Sequence, residues 1–325
     1  MPDRPGPPDL TDLLELAVSL ARDAGALLLE GRASTRSDVA TKTSATDMVT
    51  DMDRASEALI TDGLARARPD DGILAEEGTS RPGSSGVRWV IDPLDGTTNY
   101  LYGHPTFAVS IAAELDGRTV VGVVASPAHG EIFTAVAGGG AHAAGGWSFG
   151  GGERLAVSGA TDLASALVAT GFSYVAERRA AQGRIVSRLL PSVRDVRRLG
   201  AAALDLCWVA SGRVDAYYES GLQPWDLAAG ALIAAEAGAS VVGIDGPERP
   251  FERGDGPERP FERGDGPERP FERGGGPERP FERGGGPERP LERGDGPVPR
   301  SGSVLAATPA LVNPLRRLLS EPVGP

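Results

Sequence analysis

The chain is poor in cysteine, in histidine and in positive charge, and each shortage removes a class of function. A single cysteine in 325 residues cannot close an internal disulfide, so nothing calls for an oxidising compartment. Cys207 lies in the apolar segment ALDLCWVA and reads as a small buried side chain. Lysine and arginine number 33 against 45 acidic residues, a formal charge of −12. That sign disfavours a nucleic-acid surface, and no basic stripe interleaved with aromatics appears. The arginine pairs at 178–179, 197–198 and 316–317 read as solvated helix faces or strand ends, with Arg197 or Arg198 able to approach a site mouth. No run approaches the roughly 18 apolar residues of a membrane span. The opening MPDRPGPPDL has neither the basic nor the apolar part of a secretion signal, so a cytoplasmic protein without membrane contact is the expectation. Of three histidines, His104 precedes Pro105 and a strand-like alternation, which makes it a loop residue at a rim rather than a catalytic acid. His129 and His142 have no acidic or cysteine partner nearby in sequence and read as surface residues.

What the chain does have is concentrated in Ile91–Tyr100, IDPLDGTTNY. Trp89, Val90 and Ile91 read as a short buried strand, followed at once by two carboxylates three residues apart, a proline, a glycine and two threonines. Asp92 and Asp95 offer hard oxygens suited to Mg²⁺, while Gly96 and Thr97 can open a helix with free N–H groups. The same residues could form a plain type I turn with an aspartate at its start. Partners for a metal site occur elsewhere. ILAEEG at 73–78 brings Glu76 and Glu77 to a turn, and TDMVTDMD at 46–53 sets Asp47, Thr50, Asp51 and Asp53 around the entry of a helix. Pro224, Trp225 and Asp226 introduce an alanine-rich helix. For Asp51, Asp53 and Asp226 a capping role is the competing reading.

Helices are expected at about 10–31, 51–67, 175–190, 200–211 and 225–237. Strands are expected at 88–91, 107–114, 119–125, 131–136, 166–169 and 214–218, with a glycine-rich turn at 138–152. Such mixing implies layers of sheet and helix.

The segments WVIDPLDGTTNY (89–100) and GRVDAYYESGLQPWDLAAG (212–230) resemble those of the inositol monophosphatase family, within the Mg²⁺-dependent, lithium-sensitive sugar phosphatases. The resemblance runs from about residue 10 to 318, apart from one insert. It implies the αβαβα layered sandwich shared with fructose-1,6-bisphosphatase, in a mixed α+β and α/β class. One domain, 10–245 with 296–320, would follow a flexible tail at 1–9, its α+β part reaching about 150 and its α/β part beyond. In that family Glu76, Asp92 and the Leu94 carbonyl would hold one Mg²⁺, and Asp92, Asp95 and Asp226 a second. A third, weaker ion would sit on Glu76, and Ala75 departs from the usual glycine before it. Thr97, hydrogen-bonded to Asp47, and Glu76 would orient and deprotonate a water, and the N–H groups of Gly96 and Thr97 would hold phosphate oxygens. Glu219, Asp95 and the backbone of Ala202 would contact ring hydroxyls, although Glu219 could merely end a strand.

The resemblance therefore implies hydrolysis of a small phosphate monoester, myo-inositol 1-phosphate first, by a homodimer. Histidinol phosphate, fructose 1,6-bisphosphate and a 3′(2′),5′-bisphosphate nucleotide remain alternatives, as does a non-enzymatic binding or regulatory protein. Residues 246–295 are five tandem decapeptides, GPERPFERGD twice, GPERPFERGG twice and GPERPLERGD. Each carries two prolines and one large apolar residue, too little to bury a core. A disordered surface loop dispensable for chemistry is expected, with a weak multivalent interaction element as the sharper alternative.

Overall fold

The computed structural model describes residues 8–38, 45–145, 152–244 and 302–320, with the side chains of 33–38 and 45–50 excepted. The repeats at 246–295, the tail at 1–7 and any role assigned to them lie outside the described residues.

Two helices open the chain, α1 (Leu10–Asp38), whose first turn is held by Asp9 accepting from the Thr11 N–H, and α2 (Ala45–Ala67). Eight strands follow: β1 (Gly72–Ala75), β2 (Ser80–Arg81), β3 (Val87–Asp95), β4 (Ala108–Leu115), β5 (Arg118–Ser126), β6 (Glu131–Val136), β7 (Gly140–Gly145) and β8 (Glu153–Arg154). The short helix α3 (Thr97–Leu101) separates β3 from β4. These strands form one sheet in the order β2-β1-β3-β4-β5-β6-β7-β8, antiparallel throughout except for the β1–β3 pair. The second half alternates β9 (Leu167–Thr170), α4 (Ala176–Leu189), β10 (Asp195–Arg197), α5 (Ala202–Ala210), β11 (Ala216–Leu222), α6 (Pro224–Glu236), β12 (Ser240–Gly243), β13 (Gly302–Ala307) and α7 (Pro309–Ser320). Its sheet runs β10-β9-β11-β13-β12, with β10, β9 and β11 parallel and β13 antiparallel to both neighbours.

Alternation of side chains along the strands explains the layering. Trp89 and Ile91 of β3, Ile111 of β4 and Val123 of β5 face α1 and α2 in one core, while Val90, Ala112 and Val124 face Ala203, Leu204, Ala229 and Ile233 in the next. In the second sheet Ala169, Tyr217 and Ala306 face Leu206, Val209, Leu227 and Ala231, and Val168, Ala216 and Leu305 face Leu189, Leu311 and Leu315. The result is α1 and α2, sheet, α5 and α6, sheet, then α4 and α7, the expected αβαβα stack. α5 and α6 are apolar all round because sheets cover both their sides. Truncating a central side chain such as Leu206 to alanine would cost about 2–5 kcal/mol.

Several expectations need correction. α2 begins at Ala45 rather than at 51, so Asp51 and Asp53 lie inside the helix instead of capping it. α1 runs seven residues past Gly31, from Leu10 to Asp38. The glycine-rich 138–152 stretch contains strand β7, since backbone pairing with β6 tolerates small residues that carry little propensity of their own. β10 had no apolar signal because it is an edge strand of three residues.

Candidate active site

One cavity of about 260 Å³ gathers Glu76, Asp92, Leu94, Asp95, Gly96, Thr97, Ala202, Glu219 and Asp226. The parallel pairs put it there. β1 and β3 run the same way and deliver Glu76 and Asp92 just past the stretch over which they pair, while residues 171–174 follow β9 and Glu219 lies just past the stretch of β11 that pairs with β9.

In a regular strand, residues three apart point to opposite faces. Asp92 pairs with Ser110 and Asp95 with Ala108, so β3 spends one residue more than β4 between them. This bulge, containing Pro93 with no N–H to leave unpaired, brings both carboxylates to the same cavity. Ser56 of α2 donates to the Pro93 carbonyl (2.9 Å), and the Leu94 N–H donates to Asp92 Oδ1 (3.0 Å). The turn into α3 passes through Gly96 at φ +85°, where a Cβ would also come within 2.9 Å of the Thr106 carbonyl oxygen. Thr97 Oγ1 donates to the Leu94 carbonyl (3.0 Å). Asn99 donates to the carbonyls of Thr106 and Leu199, both at 2.7 Å, tying α3 to the approach of α5.

The two helix starts supply the remaining walls. Asp95 Oδ1 and Oδ2 accept from the Ala202 (3.1 Å) and Ala203 (2.8 Å) N–H groups, so a carboxylate of the first sheet meets the positive end of α5. Asp226 forms a capping box with Gln223 at the start of α6, accepting from the Gln223 N–H at 2.7 Å, and still lines the cavity. Its capping and cavity roles coexist. The turn bearing Glu76 is held from below by Glu57, which accepts from the Glu77 N–H (2.7 Å), the Thr79 N–H (3.0 Å) and the Thr79 hydroxyl (2.6 Å).

Crowding of acids governs the electrostatics. Burial, then the charge of Asp226, raises Asp95 to about 8 against the pull of its two backbone donors. Asp92, 2 % exposed, is raised by burial and then by Glu76, Asp95 and Asp226. Glu76 opens into the cavity yet is walled by protein; poor hydration raises it to about 7, opposed by a hydrogen bond shared with Asp92. Burial raises Asp226 to about 6. Among the described residues these acids do not close into a ready-made three-ligand cage. Their donor set, carboxylates plus the Leu94 carbonyl beside Asp92, nevertheless fits hard divalent cations.

The expected residues Glu76, Asp92, Leu94, Asp95, Gly96, Thr97, Ala202, Glu219 and Asp226 thus share one cavity. Glu219 accepts from the Tyr217 hydroxyl at 2.7 Å and lines the site from within β11, which runs on to Leu222 instead of ending at residue 218. Of the Ala202 backbone, expected to contact a substrate, the N–H is occupied by Asp95. Asp47 falls in α2, but its side chain and the expected bond to Thr97 lie outside the described residues. Arg198 reaches the cavity, whereas Arg197 pairs with Asp195 at 2.5 Å. His104 and His129 are both exposed, and the His129 ring contacts Ser126 Oγ at 2.8 Å and packs edge-on against Trp208. Sequence reasoning missed Phe172, Ser173, Tyr174 and Arg178. They belong to no motif, and only their place just beyond a parallel strand could have pointed to them. Asp53, weighed in the sequence as a helix cap, is instead a buried acid inside α2, 5 % exposed and raised to about 8 by burial and then by Glu77, Glu76 and Glu57.

Comparison with known proteins shows the family. An inositol-1-monophosphatase of Mycobacterium leprae is 50% identical over 208 residues, 62% of this chain and 70% of that protein. The Nus factor SuhB of Escherichia coli K12 is 44% identical over 231 residues, 70% of this chain and 84% of that protein. The solved structure of Mycobacterium tuberculosis SuhB superposes with a TM-score of 0.68 at 36% identity, covering 95% of this chain and 96% of its own. The inositol monophosphatase family model matches residues 9–262, which include β1, the β3 bulge, Glu219 and Asp226. With its acidic cavity assembled from those same segments, the chain belongs to the inositol monophosphatase family.

Proposed function

We propose that the protein is a Mg²⁺-dependent phosphomonoesterase that releases phosphate from myo-inositol 1-phosphate. The observation that carries this reading is the convergence of Glu76, Asp92, Asp95 and Asp226 with Leu94 in a single cavity that also holds Glu219. Those four carboxylates and the carbonyl would hold two or three Mg²⁺ ions, which when bound cancel the charge of a phosphate dianion and lower the pKa of water. Thr97 and Glu76 line the same cavity and orient the attacking water, Glu76 taking its proton, with Asp47 assisting Thr97 as the family resemblance implies. The backbone at Gly96 and Thr97 presents donors to phosphate oxygens. Glu219, steadied by Tyr217, accepts from a hydroxyl of the polyol, with Asp95 beside it. In this reading the protein is a cytoplasmic homodimer.

The test is Mg²⁺-dependent phosphate release from myo-inositol 1-phosphate, histidinol phosphate, fructose 1,6-bisphosphate and adenosine 3′,5′-bisphosphate, with Asp95→Asn alongside. Turnover of the inositol ester that disappears in the variant supports the reading. Turnover of another ester alone keeps the chemistry and replaces the substrate. A second reading, a binding or regulatory protein on the same fold, is favoured by the relative called Nus factor SuhB. It gains if no ester is hydrolysed.

A further inference from the structure

Seven charged side chains line the cavity: Glu76, Asp92, Asp95, Glu219, Asp226, Arg178 and Arg198. The first three and Asp226 are assigned to cations. What remains is one carboxylate against two guanidiniums, 2 − 1 = +1. Among the described residues neither arginine has an ion pair or hydrogen bond, in contrast to Arg197 with Asp195 and Arg213 with Glu131. Arg198 acts on Glu219 and the buried Asp205, which among the described residues leaves Arg178 as a guanidinium at the cavity without a counter-charge, one that a neutral polyol carrying a single phosphate does not call for.

Both are positioned by their surroundings. Arg198 lies over Gly200, where an added Cβ would sit 2.1 Å from its Nη1 and 3.0 Å from the Asn99 amide nitrogen, so its guanidinium stands beside the turn that follows Gly96. It is also close enough to Glu219 to favour that carboxylate's charged form. Arg178 rides on the first turn of α4, whose entry is fastened to α3 by the Tyr174 hydroxyl bonding Thr98 Oγ1 at 2.9 Å. Its neighbour Arg179 turns back to the carbonyls of Ser173 (3.0 Å) and Tyr174 (3.2 Å), which leaves Arg178 as the arginine of that pair facing the cavity.

We infer that Arg178 and Arg198 form a second anion subsite, so that the preferred substrates carry, besides the scissile phosphate, another anionic group, a phosphate or a carboxylate. Arg198 offsets Glu219, and Arg178 is left to take the group. A planar guanidinium binds either oxyanion bidentately, and both arginines are exposed at the rim, where an incoming group can reach them. The inference rests on the phosphatase reading of the same cavity and moves its preferred substrate from myo-inositol 1-phosphate to an ester with a second anionic group.

The test uses matched pairs with the full chain and Mg²⁺: myo-inositol 1-phosphate against myo-inositol 1,4-bisphosphate, and glucitol 6-phosphate against 6-phosphogluconate. The wild type is expected to favour the doubly anionic member of at least one pair by about tenfold or more in kcat/KM, in line with a charged hydrogen bond. The pair that responds identifies the group as phosphate or carboxylate. In R178A and in the R178A/R198A double variant that ratio falls toward one, mainly through KM, and R178K restores part of it. Equal or poorer use of both doubly anionic esters, or a ratio unmoved in the variants, overturns the inference while leaving the phosphatase reading intact. Failure to hydrolyse any of the four esters sinks both.

Discussion

Asp95 accepts from the backbone N–H of Ala203 at 2.8 Å, so an acid at the end of a strand in one sheet also completes the start of a helix in the central layer. Two effects oppose each other there. Replacing Asp95 by asparagine weakens a charge-assisted contact worth about 1.5–3 kcal/mol. It also removes one charge from a crowd of buried acids that repel it. The expected outcome is a melting temperature close to wild type without Mg²⁺, with loss of any Mg²⁺-induced rise and a fall in turnover of about a hundredfold or more. Thermal melts with and without Mg²⁺, beside phosphate release, check it.

The same crowding sets a pH dependence. Burial, with the neighbouring acids for the first two, raises Asp95, Glu76 and Asp226 to about 8, 7 and 6, above their ordinary values. Carboxyls raised on folding favour the native state at low pH, and that support is lost as pH rises from about 4 through 8. Without a divalent cation, stability should therefore decline across this window. Mg²⁺ competes with those protons, so the stabilisation it confers should grow with pH. Melts at pH 5, 6, 7 and 8 with Mg²⁺ or a chelator would show the two curves separating; parallel curves would count against the cation site.

Gly171 leaves room for Glu219. A Cβ there would stand 1.8 Å from Glu219 Oε2, although its backbone is not left-handed, so the effect of alanine is steric and local. Gly171→Ala should displace the Glu219 carboxylate and raise KM for inositol 1-phosphate about tenfold, with a smaller change in kcat. Steady-state kinetics decides; a kcat defect with unchanged KM would place Glu219 outside substrate binding.

Glu131 and Arg213 form an ion pair remote from the cavity, with one arm at 2.7 Å, and Arg213 also lies over Trp208 and Phe133. The hydrogen bond from Arg213 lowers the Glu131 pKa. A lowered carboxyl contributes stability above its unfolded pKa of about 4.3 and loses it as pH falls through the folded value. Because the pair is half open to water, Glu131→Gln should cost no more than about 1 kcal/mol at pH 7 and less in high salt. Its denaturation midpoint should converge on wild type below pH 4, with turnover unaltered.

Local chemistry made much of the site legible before any coordinates. IDPLDGTTNY and QPWDL carry acids next to proline and glycine, and short-range backbone rules already limit such segments to turns and helix starts. The αβαβα stack was legible through resemblance, and the alternating strand residues account for it. Contacts between distant segments were not legible. The bulge that turns Asp92 and Asp95 to one side depends on the register of β3 against β4. The occupation of Ala202 N–H by Asp95 depends on a helix docking 107 residues further along the chain. Arg178 and Tyr174 enter the cavity only because β9 runs parallel to β11 and ends beside it. Sequence alone determined which oxygen donors this protein brings to its chemistry, since residue type sets ligand hardness and charge. Tertiary structure decided which of them face one another, because that follows from strand register and helix docking, which are set by packing over the whole core.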